Sequence, residues 1–110
     1  MERRETRTRE RLAGAGRLEK GTEWVAQVQY RLVVSDDYLI IDRRGERNEH
    51  VVSHRFGGEL RAIDRSISMD DVGPSLTLQL EDGRSCTVSL RTSPVLGRGW
   101  YEVLGSGPLE

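Results

Sequence analysis

The chain has 110 residues with a formal net charge of −1, and 35% of its residues are hydrophobic while 32% are charged. This length gives room for one hydrophobic core, so we expect a single domain. The near-zero net charge excludes a whole-molecule field that attracts nucleic acid or an anionic membrane. No apolar run reaches the roughly 18–20 residues of a membrane span, and the N-terminal residues lack a signal-peptide pattern, so a cytoplasmic location is expected.

The first twenty residues differ in composition from the rest, with seven basic and four acidic side chains. Apolar residues are few, and Gly14 and Gly16 each disfavour a helix by about 1 kcal/mol relative to alanine. We therefore predict a flexible, arginine-rich arm over residues 1–20. Arginine outnumbers lysine 16 to one in the whole chain, which we attribute to a bacterial-like base composition of the genome.

From Glu23 to Val34 apolar residues occupy every second position, which predicts a long strand with one polar face. Turn-forming residues divide the chain that follows, because Asp and Gly favour turns. The predicted breaks are Ser35-Asp36-Asp37, a polar turn around Gly45, and Gly57-Gly58. They leave a strand from Tyr38, a short strand around residues 50–54 and an irregular strand over residues 59–68.

The clearest pattern is a hairpin between Leu76 and Leu90, where leucine, cysteine and valine alternate with polar residues. A three-residue loop over residues 81–83 places Leu78 opposite Cys86 and Leu76 opposite Val88, whereas a two-residue loop would mix the faces. Gly83 then occupies the left-handed position of the loop. A last strand is predicted over residues 100–104.

These elements predict an all-β fold, a small antiparallel β-barrel or two-layer sandwich of about six to eight short strands in meander topology. Either arrangement hides the sheet edges. The predicted domain covers residues 21–106. Residues 107–110 are expected to be a disordered tail, with Leu109-Glu110 as a cloning remnant.

No pattern in the chain predicts catalysis or metal binding. His50 and His54 on a strand lie about 13 Å apart, too far to share one zinc ion. Cys86 lies on the inward face of the hairpin, where cysteine behaves as a small hydrophobe. The acidic pairs, at Asp36-Asp37, Asp70-Asp71 and Glu81-Asp82, stand in predicted turns. We therefore predict a protein that is not an enzyme and has no cofactor.

The leading functional hypothesis is a binding module that holds a protein partner or a second copy of itself. The long first strand around Gln27 and Gln29 would serve as an open edge for strand addition.

Two alternatives stay open at this point. The first is a small-ligand site at the barrel mouth, lined by the aromatic residues Trp24, Tyr30, Trp100 and Tyr101. The second, less favoured, is nucleotide or nucleic-acid binding through basic side chains at Arg3, Arg4, Arg7, Arg43, Arg44 and Arg47.

Overall fold

The structure is a computed structural model in which residues 1–106 are described. Six strands and one 3₁₀ turn make up the fold. Their bounds are β1 (Glu2–Lys20), β2 (Glu23–Arg43), β3 (Glu46–Ala62), the 3₁₀ turn Met69–Asp71, β4 (Leu76–Gln79), β5 (Ser85–Arg91) and β6 (Trp100–Ser106). Within this part of the chain no helix is long and apolar enough to cross a membrane. The predicted tail at residues 107–110 lies outside the described residues.

The strands form one antiparallel sheet that closes on itself in the order β1-β2-β3-β6-β5-β4. Each half of the chain is a three-stranded meander, and the halves join where β1 pairs with β4 and β3 pairs with β6. The predicted all-β antiparallel fold is therefore confirmed, and closure of the ring decides for a barrel over a sandwich.

The barrel interior is filled by side chains from all six strands. The largest of those that are fully buried in the barrel core are Leu18, Leu32, Leu60, Leu76, Leu78, Leu90, Val28, Val88 and Val103. Cys86 belongs to this core, and burial raises the pKa of its thiol to about 11. The thiol is therefore protonated at neutral pH and packs as the predicted small hydrophobe.

The first three strands are much longer than the barrel needs. β1 pairs with β4 only through residues 17–19, and β3 pairs with β6 only through residues 57–61. The remaining lengths continue out of the barrel as a three-stranded extension, which we call the projecting sheet (residues 2–8, 35–43 and 46–55). The molecule is accordingly elongated, 58 × 30 × 22 Å. Its radius of gyration is 16.6 Å, whereas a compact domain of this length has about 13 Å.

The prediction of a flexible arm over residues 1–20 is wrong. These residues form β1, which pairs with β2 from Glu2↔Ile41 to Lys20↔Glu23 and supplies Leu18 to the core. The prediction that β2 is an open edge is wrong for the same reason. Gln29, for example, lies between Ala15 of β1 and Arg61 of β3.

Two predicted breaks in the sheet and the bounds of one predicted strand also prove wrong. Ser35-Asp36-Asp37 is not a turn, because β2 runs through it with both neighbours paired. Gly57-Gly58 lies inside β3, where a Cβ on Gly58 would collide with the carbonyl oxygen of Arg31. The predicted strand over residues 59–68 ends at Ala62 as the last part of β3, leaving Ile63 half-exposed.

The hairpin prediction is confirmed residue by residue. Leu76 pairs with Val88 and Leu78 with Cys86, and the loop closes through a bond from the Leu80 N–H to the Arg84 carbonyl. Gly83 has φ +92, the left-handed conformation that the loop requires. The predicted polar turn at Gly45 and the start of the last strand at Trp100 are also found.

Candidate interaction site

Two strand edges have no neighbouring strand among the described residues, and both run along the projecting sheet and onto the adjoining part of the barrel. One is β1 over residues 2–16, and the other is β3 over residues 46–56. Backbone N–H and C=O groups on such edges are free to pair with another chain. The ring of paired strands is otherwise closed, so strand pairing with a partner is confined to these two edges.

The two edges differ in how strongly their side chains discourage pairing. A bulge at Arg9 interrupts β1, and the hairpin loop lies against its inner part, where Arg84 contacts Glu10 at 2.7 Å. Bulges, charged side chains and covering loops are the usual means of blocking an edge. β3 also has a bulge, but its bulged residue Val52 is 45% exposed and the adjacent Val51 is 47% exposed. β3 is therefore the more accessible and more apolar edge.

A buried carboxylate ties the three strands of the projecting sheet together. Asp37 of β2 accepts hydrogen bonds from Ser53 Oγ at 2.7 Å and Thr6 Oγ1 at 2.6 Å, and from Arg55 Nε at 2.6 Å. These hydrogen bonds hold the pKa of Asp37 well below its usual range, and the largest effect comes from Ser53, followed by Thr6 and then Arg55. Each bond reaches β1 or β3 from the central strand, so Asp37 acts as a cross-strand clamp.

The opposite face of the projecting sheet carries a network of ion pairs. Arg7 donates to both oxygens of Glu49 at 3.0 Å and lies 4.5 Å from the centre of the Tyr38 ring. Hydrogen bonds from Arg7 lower the pKa of Glu49 and of Glu5. Ile40, in the central strand of this face, is 0% exposed although it lies outside the barrel core. The charged side chains thus cover an apolar centre.

The histidines lie on β3 as predicted, both in the projecting sheet. His54 Nδ1 is 2.6 Å from Asp36 Oδ1, and the Arg9 guanidinium lies 3.9 Å from the same oxygen. Among the described residues no group of three or more His, Cys, Asp or Glu side chains is placed to hold a metal ion.

The four aromatic residues proposed for a barrel mouth point to different sides of the wall. Tyr30 is buried in the core, where its hydroxyl accepts the Glu81 N–H at 3.0 Å, and Tyr101 packs against that core half-buried. Trp24, 41% exposed, and Trp100 instead stack on the outer surface with Arg17 at 4.7 Å and Arg31 at 4.4 Å. A hollow of about 670 Å³ beside Trp24 is lined by none of the other three aromatic residues. Their role in ligand binding stays a prediction.

The six arginines proposed as anion contacts all lie in the projecting sheet or at its tip. Three of them are already paired with carboxylates: Arg3 with Asp42 at 3.2 Å, Arg7 with Glu49, and Arg47 with Glu49 at 3.2 Å. Arg4 lies on β1, while Arg43 and Arg44 stand at the turn between β2 and β3. Whether any of them contacts an anion stays a prediction.

A shallow hollow lies on the outer face where the projecting sheet joins the barrel. Its centre is Val33 of β2, which pairs with Arg11 of β1 and Gly57 of β3. Two adjoining volumes of about 470 Å³ and 420 Å³ share Val33 and Gly58 in their linings. This hollow was not predicted from the sequence, because the residues that form it lie on three strands and are far apart in the chain.

Comparison with known proteins identifies no family, curated protein or solved structure that matches this chain. Val51 and Val52 were not singled out from the sequence as exposed apolar residues on an unpaired strand edge. The signal that points to them is a pair of β-branched residues among polar and charged ones, in the run Glu49-His50-Val51-Val52-Ser53.

Proposed function

We propose that this protein is a self-association module in which the open edge of β3 pairs with the same edge of a second copy. The observation that carries the proposal is that a closed barrel carries a three-stranded sheet with an unpaired, valine-bearing edge. Strand addition satisfies the free backbone groups of such an edge and buries its apolar side chains. We keep the predicted binding role and assign it to the open edge of β3 instead of to β2.

The side chains of β3 suit antiparallel pairing with an identical strand. When Val51 stands opposite Val52 of the second copy, Glu49 stands opposite His54 and Asn48 opposite Arg55, so no like charges face each other. A shift of one residue in one direction places Arg47 opposite Arg55. A shift in the other direction places Glu49 opposite Arg55, although the bulge at Val52 puts these two side chains on opposite faces of the sheet. Opposite charges on facing residues stabilise a strand pair and like charges destabilise it. A symmetric pairing of this kind closes as a dimer.

Sedimentation equilibrium over a wide concentration range tests the proposal. At high concentration the apparent mass is expected to approach twice that of the 12.5 kDa chain. Val52→Lys is expected to raise the dimer Kd by about tenfold or more, because a lysine on the edge repels its symmetry mate. The matched control is Val95→Lys, at a residue that is 88% exposed in the loop between β5 and β6. A wild-type chain that stays monomeric, or a Val52→Lys dimer as tight as wild type, would overturn the proposal.

The runner-up function is strand addition by a different protein to the same edge. This second function would explain a chain that stays monomeric on its own and binds a strand of another protein at the β3 edge. The charge match described above does not support it, because that match requires two identical strands. We place either interaction in the cytoplasm, where the single thiol of Cys86 stays reduced.

A further inference from the structure

The hollow around Val33 combines a small apolar floor with an unbalanced charge. Three adjacent rows of paired residues cross the outer face of β1, β2 and β3 here. The middle row is Arg11, Val33 and Gly57, and the row on the barrel side is Ala13, Arg31 and Glu59. The row on the side of the projecting sheet is Thr8, Ser35 and Arg55. Ala13 and Gly57 have almost no side chain, so Val33 lies in a depression between longer neighbours.

Arginines surround this depression on three sides. Arg11 lies on β1, Arg31 follows along β2, and Arg55 lines the adjoining volume from β3. Rows two residues apart are separated by about 7 Å along the strands. Two of these guanidinium groups are held by other residues, because Arg31 stacks on the Trp100 ring at 4.4 Å and Arg55 binds Asp37 at 2.6 Å. Arg11 also lines the hollow and makes neither kind of contact among the described residues.

Carboxylates neutralise only two of these guanidinium groups. Arg31 Nε lies 3.3 Å from Glu59 and Arg55 Nε lies 2.6 Å from Asp37. Arg11 has no carboxylate within 4.0 Å among the described residues and is exposed. Three positive charges against two negative ones leave one positive charge beside an apolar surface, which suits a ligand with one negative charge and an apolar body.

We infer that the Val33 hollow binds a small amphiphilic monoanion, such as a medium-chain carboxylate. Its carboxylate pairs with Arg11, and its aliphatic chain lies over Val33 between Ala13 and Gly57. The hollow has the volume of small-ligand sites, about 300–1,000 Å³. This site is separate from the β3 edge, and the inference does not depend on self-association.

Titration with octanoate, followed by the amide NMR signals of the full chain, tests the inference. Octanoate is expected to shift the signals of Val33, Gly57 and their neighbours in a saturable way, and 1-octanol to bind at least about tenfold more weakly, because it cannot form the charge-assisted pair. Equal binding of octanoate and 1-octanol, or shifts confined to other parts of the chain, would overturn the inference.

Two variants locate the anion contact. Arg11→Gln is expected to weaken octanoate binding about tenfold while leaving 1-octanol binding unchanged. Ala13→Glu, at an exposed position opposite Arg31, is expected to abolish octanoate binding by adding a negative charge to the hollow. The matched control is Arg91→Gln, an exposed arginine on β5, which leaves binding unchanged. Octanoate affinity that survives both Arg11→Gln and Ala13→Glu contradicts the assignment.

Discussion

Asp37 shows how a single residue can reverse its usual structural preference. Aspartate after serine favours a turn because its side chain bonds to nearby backbone amides. Here the carboxylate is buried in the middle of β2 and accepts side-chain hydrogen bonds from both neighbouring strands. A buried charge is tolerated when it is paired and hydrogen-bonded. The donors Thr6, Ser53 and Arg55 are far away in the sequence, so no local pattern reveals them.

Replacing Asp37 should change how the projecting sheet responds to pH. The folded-state pKa of Asp37 is lowered, so its contribution to stability is complete above its unfolded value of about 4 and is lost as pH falls towards the folded value. Asp37→Asn is expected to melt the projecting sheet at a lower temperature at pH 7. The difference in melting temperature between Asp37→Asn and wild type, the gap that the experiment follows, should narrow below about pH 4.

Thermal melting followed by the NMR signals of the projecting-sheet amides measures this gap. Asp70→Asn, at an exposed position in the 3₁₀ turn, is the control and should follow wild type at every pH. A gap between Asp37→Asn and wild type that is constant from pH 7 to pH 3 would show that the carboxylate charge is not what stabilises the sheet.

At the scale of the element, strands were predictable where one face is apolar and the loop is short. The hairpin from Leu76 to Leu90 meets both conditions, and its register was predicted correctly. β1 has a short loop, residues 21–22, but it lacks the apolar face, because its outer half is polar on both faces. The residues that could have identified it are Gly14 and Gly16, two residues apart, which stand against the Tyr30 ring on the inner face.

Gly16 should therefore resist even the smallest side chain. A Cβ at this position would lie 2.5 Å from the Gln79 carbonyl oxygen and 3.1 Å from the Tyr30 ring. Gly16→Ala is expected to lower the free energy of unfolding by about 2 kcal/mol, since backbone and ring must shift to admit the methyl group. Urea denaturation gives the value.

Gly97→Ala provides the comparison for that experiment. A Cβ there would make an ordinary contact, 3.5 Å from the Trp100 ring, and Gly97 does not have a positive φ. The free energy of unfolding of Gly97→Ala should stay within about 0.5 kcal/mol of the wild-type value. If Gly16→Ala is as stable as Gly97→Ala, the close packing of β1 against Tyr30 is not a constraint.

For the whole molecule, the structure divides a closed barrel from an open extension. The barrel has one continuous core, whereas the projecting sheet has Ile40 buried under charged side chains and Asp37 as its clamp. The two parts are joined by the continuing strands β1, β2 and β3. Regions with few buried apolar contacts open at lower free energy than the core. This division could not be predicted from the sequence, because it depends on where β4 and β6 stop pairing with the long strands.

Substitutions in the projecting sheet and in the barrel should therefore destabilise different extents of the chain. Ile40→Ala is expected to speed amide hydrogen exchange in residues 2–8 and 46–55 while barrel amides keep their protection, because the projecting sheet opens locally. Leu78→Ala, in the barrel core, is expected to lower global stability by about 2–5 kcal/mol and to speed exchange throughout. Hydrogen-exchange mass spectrometry of both variants beside wild type separates the cases. If Ile40→Ala exposes the barrel amides as fully as Leu78→Ala does, the chain unfolds as one cooperative unit. The β3 edge would then be as rigid as the barrel, and its pairing with a second copy would require no ordering of the projecting sheet.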